Sequence, residues 1–100
     1  MTIEQLLNEL RPFNKDSLIV QINNVQQYDD KIVVLIRINK TAINVRKLVQ
    51  LLLNYPDDYK VLIKLDLCPE SVSGVFSMDN QVLIHSIAPP RFGERIVIYI

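Results

Sequence analysis

Glycine is nearly missing from this chain: Gly74 and Gly93 are the only two in 100 residues. Loops that cradle phosphate need several, because a side chain would keep the backbone amides off the ligand. A P-loop and a dinucleotide-binding fingerprint are therefore excluded. Tryptophan is absent, and cysteine and histidine occur once each, as Cys68 and His85. A single cysteine forms no internal disulfide and no thiolate metal cluster, and it suits a reducing compartment. Charge of one sign is lacking too. Eleven Lys and Arg balance eleven Asp and Glu, whereas a protein that lives on phosphate contacts carries a surplus of cations. No apolar run approaches the ~20 residues that span a bilayer. The start, Met1-Thr2-Ile3-Glu4-Gln5, lacks the cationic lead of a secretory signal. The expected setting is the cytoplasm, away from membranes.

What is present reads as one folded domain over residues 1–100. Hydrophobic residues make up 49% and charged residues 22%, a composition with enough apolar surface to bury a core. Thr2 and Gln5 have the spacing of a capping box. Ile3, Leu6, Leu7 and Leu10 then follow as one helical stripe, and Pro12 ends it. Asn44 or Thr41 caps a second helix with the stripe Val45, Leu48, Val49 and Leu52. Leu51 and Leu53 widen that stripe beyond what one core face needs. Pro56 and the pair Asp57-Asp58 stop it.

Strands are expected at 17–22, weakly at 25–28, and at 31–38, 59–65, 71–77, 81–87 and 94–100. The run Ile32-Val33-Val34-Leu35-Ile36 suits a central strand covered on both faces. Gly74 permits a bulge in the 71–77 strand. Helices followed by several strands, and not by single ones, favour α+β. The expectation is two helices packed on an antiparallel-rich sheet of six to seven strands.

The element order occurs twice, over 2–38 and 44–87, with 94–100 added as a terminal strand. A shift of about 42 residues superposes Ile3, Leu6, Leu7, Leu10, Phe13 and Asp16 on Val45, Leu48, Val49, Leu52, Tyr55 and Asp58. A shift of about 50 superposes Val25, Asp29 and Ile32 on Val75, Asp79 and Val82. Either this is an internal αβββ repeat, or two unrelated αβββ units share a common pattern.

Reactive groups do not assemble in the sequence. Nucleophilic catalysis needs a nucleophile, a base and a group to orient the base. His85 lies mid-strand among apolar residues and reads as structural. Cys68 stands between Asp66 and Glu70, which oppose thiolate formation. Asp29-Asp30 and Asp57-Asp58 read as solvated turns, with no third acid to complete a cation loop. No catalytic residue, metal ligand or cofactor is assigned, and the chain is read as a non-enzyme.

The features that suggest recognition are apolar. Leu51 and Leu53 make the second helix apolar around most of its circumference, so it is either sandwiched in the core or covered by a partner. Pro90, Arg91 and Phe92 combine a stiff backbone with an aromatic and a cation. Ile98 and Tyr99 belong to a very apolar strand that is either internal to the sheet or an edge used for pairing with another chain. These seven are the candidate protein contacts, and a homodimer is one form they allow. The alternative is a nucleic-acid-binding accessory protein using the local cations Arg37, Lys40, Arg46, Lys47, Arg91 and Arg95.

The segment from Leu48 to Ile63, with Tyr55-Pro56-Asp57-Asp58 in its middle, resembles a pattern in small proteins of phages and other bacterial mobile elements, in which a Leu-rich helix leads through Tyr-Pro-x-Asp into a Val-rich strand. Residues 3–22 look like a weaker copy. The resemblance implies an accessory protein that binds and blocks a host protein, such as a defence nuclease. It carries over no catalytic residues.

Overall fold

A computed structural model describes residues 1–20, 22–64, 69–72, 74–78 and 81–85. The first helix, α1, spans Ile3–Leu10. The Thr2 hydroxyl accepts from Gln5 N, and the Gln5 side chain accepts from Thr2 N, so the expected capping box is formed. The second helix, α2, spans Val45–Leu52. Its cap is Asn44, whose side-chain oxygen accepts from Lys47 N at 2.8 Å. Both helices bury the same positions of their stripes: Ile3, Leu6 and Leu10 in one, Val45, Leu48 and Leu52 in the other.

Seven strands are described. They are β1 (Leu18–Ile19), β2 (Asn24–Asp29), β3 (Ile32–Ile36), β4 (Lys60–Ile63), β5 (Glu70–Ser71), β6 (Gly74–Met78) and β7 (Gln81–His85). The fold is α+β, as expected, but the strands do not join into one sheet. They form a four-stranded sheet of order β2-β3-β4-β5 and a three-stranded sheet of order β1-β7-β6. Both are mixed: β3 and β4 run parallel, as do β1 and β7, while the other three pairs are antiparallel.

The break falls inside the expected 71–77 strand. Here β5 ends at Ser71, Val72 drops into the core, and Gly74 opens β6 in the other sheet. A buried apolar residue at the end of a two-residue edge strand draws the chain inward, so the sheet cannot be extended past it. The expected terminal strand 94–100 lies outside the described residues.

The strand β3 is central, between β2 and β4, and Val33, Val34 and Leu35 are all buried. This is the both-faces burial that its unbroken apolar run requires. The tight turn into β3 places Lys31 in the left-handed region at φ 56°. The pairing β2–β3 slips by one residue at Tyr28. The Gln27 side-chain amide donates across this bulge to the carbonyl of Asp29.

The two halves of the chain interleave. α1 packs against β4 and β6, and α2 against β1 and β2, while the helices touch each other. One continuous apolar cluster joins both helices to both sheets. No described helix is long and apolar enough to cross a membrane.

Candidate functional site

The best-organised irregular segment is the connection from β3 to α2. It carries Arg37, Ile38, Asn39, Lys40 and Thr41 in sequence, and all five are exposed. An exposed pentapeptide with no secondary structure is normally costly to hold in one shape. Here one side chain, Asn23, makes most of the side-chain hydrogen bonds that hold it. The Nδ2 group of Asn23 donates to the carbonyl of Asn39 (2.8 Å), to Asn39 Oδ1 (2.8 Å) and to the carbonyl of Thr41 (2.9 Å). Two hydrogens are thus shared among three acceptors. Asn23 Oδ1 accepts from Ile38 N at 3.0 Å. Asn39 Oδ1 also accepts from Thr41 N at 2.8 Å, and Arg37 Nε donates to the carbonyl of Asn39 at 3.2 Å.

Asn23 is placed for this by the backbone, since Asn23 N donates to the carbonyl of Ile36 at the end of β3. It joins β1 to β2 at the edge of the loop it clamps. The result is a preformed loop that displays Ile38 at 56% exposure between two cations.

Beneath the loop lies a small cleft of about 110 Å³, lined by Ile19, Ile22, Asn23, Arg37, Lys40, Thr41 and Ala42. Ile19 and Ile22 are buried and provide apolar lining. Ordinary small-molecule sites begin at roughly 300 Å³. This cleft is therefore too small for an ordinary small-molecule ligand and of the size of a single side chain.

The cations expected to act together are divided. Arg46 is paired: its Nη1 lies 2.7 Å from Asp16 Oδ1. With side-chain exposures of 55% and 73%, the pair contributes at most about 1 kcal/mol, but it offsets the charge of Arg46. Arg37 and Lys40 line the cleft, and no ion pair involves either among the described residues. Lys47 is exposed on α2. Arg91 and Arg95 lie outside the described residues.

The apolar candidates are divided as well. Leu51 is half-buried and packs against the core, one of the two placements the sequence leaves open for it. Leu53, the C-cap of α2, is 63% exposed. Pro90, Phe92, Ile98 and Tyr99 lie outside the described residues, as does Cys68. Among the described residues no group of three His, Cys, Asp or Glu side chains converges as a metal site would. Asp29 and Asp30 sit in the β2–β3 turn, where Asp29 Oδ1 accepts from Asp30 N. Asp57 lends its carbonyl to Glu4 N.

Reading the sequence missed Ile38 and the Asn23 clamp. Asn23-Asn24 has the composition of a turn, and nothing local shows a side chain reaching sixteen residues ahead. No family model, curated protein or solved structure matches the chain.

Proposed function

We propose that this is a non-enzymatic binding protein whose contact surface is the Asn23-clamped loop, and that it engages an acidic segment of a protein partner. The supporting observation is the clamp itself. A loop fixed before contact loses little conformational entropy on binding, which raises affinity without adding contact area. Ile38 supplies an apolar anchor, Arg37 and Lys40 supply charge to complement carboxylates, and the cleft accepts a side chain. The likeness to small mobile-element proteins points to a host protein as the partner, a defence nuclease among the candidates, in a cytoplasmic setting.

Nucleic-acid binding is the second reading, and Arg37 and Lys40 would serve it too. Protein is favoured because Ile38 lies exposed between those cations, because Arg46 is already paired, and because the whole chain carries no net charge.

The test is affinity capture from the cells that encode the protein, followed by titration of the captured component. Replacing Ile38→Ala should weaken binding roughly tenfold or more if it is an anchor. The double change Arg37→Glu and Lys40→Glu should abolish it with the fold intact by circular dichroism. Undiminished affinity in both variants would remove the loop from the contact surface. Recovery of nucleic acid, with affinity falling steeply as salt rises, would favour the second reading.

A further inference from the structure

The contacts between the two halves of the chain come in matched pairs. Thr2, the cap of α1, bridges Lys60 at the start of β4; Asn44, the cap of α2, bridges Leu18 at the start of β1. Ile3 N donates to Tyr59 O at 2.8 Å, and Val45 N to Ser17 O at 2.9 Å. Glu4 N donates to Asp57 O at 3.1 Å, and Arg46 N to Lys15 O at 3.0 Å. Val61 N donates to Met1 O at 2.8 Å, and Ile19 N to Ile43 O at 2.7 Å.

In every pair, donor and acceptor trade halves at one constant offset, about 42 residues, the spacing that also superposes the helical stripes. The sheets follow the same rule. β4 lies parallel to β3, the last strand of the hairpin β2–β3, and β1 lies parallel to β7, the last strand of the hairpin β6–β7. The registers correspond, Leu18 with Gln81 and Ile19 with Val82 against Lys60 with Ile32 and Val61 with Val33. This pairs Val33 with Val82, one residue away from the match of Ile32 to Val82 suggested by the sequence. The Tyr28 bulge of β2, which β6 lacks, accounts for that residue. β5 has no counterpart among the described strands of the first half.

We infer that the chain is two copies of one αβββ unit, each lending its helix and first strand to the hairpin of the other, and that a second copy of the chain can replace either half. The partner in this exchange, distinct from the protein engaged by the clamped loop, is another molecule of this protein, joined by exchange of halves. The hinge is Ala42. Thr41 is held by Asn23 of the first half, and Ile43 is already bonded to β1 as the opening of the second. Exchange makes no contact that the monomer lacks, which is why it is a low-cost route to a dimer.

The experiment uses two full-length variants, Leu6→Asp and Leu48→Asp, each placing a carboxylate at a fully buried position of one helix. Each alone should fail to fold, because an unpaired buried charge is costly. Refolded together from denaturant, they should recover up to about half of the native circular-dichroism signal, in a particle of dimer mass, because one sound pair of halves remains per exchanged dimer. In parallel, the unmodified chain refolded at high concentration should leave a dimer that survives dilution. Recovery in the mixture, or a trapped dimer of the unmodified chain, supports the inference. The absence of both, or a folded state in either variant alone, overturns it.

Discussion

Asn23 shows how much one side chain can decide. Its carboxamide engages the backbone of Ile38, Asn39 and Thr41 together with the Asn39 side chain. Replacing Asn23→Ala removes all of these at once and leaves backbone groups of an exposed loop to water. The expected loss of stability is about 1 kcal/mol, because the freed groups are rehydrated, measured by denaturant titration. The larger effect should fall on the loop: its amides should exchange faster with solvent, and partner binding should weaken although no contact residue has changed. Unchanged exchange in residues 38–41 would show that the clamp does not order the loop. None of this could be read from the chain, because an asparagine between two strands reads as a turn by composition. Its distant partners depend on where β3 ends. Leu51 teaches the complementary point. A leucine outside the main stripe of a helix appears surplus in a helical projection, yet two sheets around α2 leave room to pack it.

The helices and most strands were legible, because periodic burial leaves its mark in sequence. Thr2, Gln5 and the stripe Ile3, Leu6 and Leu10 specify α1 through cap and face together. Asn44 with Val45, Leu48 and Leu52 does the same for α2. The caps should therefore matter comparably. Thr2→Ala and Asn44→Ala are each expected to cost about 1 kcal/mol, read as a lowered midpoint in urea at constant slope. A negligible effect of either would mean that the helix end is held by its backbone bonds to the opposite half alone. What stayed hidden was the pairing of strands. Strand 71–77 looks continuous, since its alternation of small polar and apolar residues persists across Ser73 and Gly74. The chain changes sheets there because Val72 turns inward. Alternation reports which face a residue takes within a sheet; it does not report which sheet the strand joins.

At the scale of the molecule, the described residues of both halves share one core. Among the described residues, each helix and first strand packs mainly against elements of the other half, in one apolar cluster that includes Leu6, Leu48, Ile19, Val61, Val33 and Val82. A structure built this way should unfold as a unit, with no partly folded state containing one half alone. Native-state amide hydrogen exchange tests this most directly, using Leu6, whose N–H bonds the carbonyl of Thr2, and Leu48, whose N–H bonds the carbonyl of Asn44. Both amides should exchange only through global opening, with equal free energies that match the stability measured by denaturant. If the amide of one helix exchanged at a clearly lower free energy while the other kept full protection, the halves would be independent and the shared core would be contradicted.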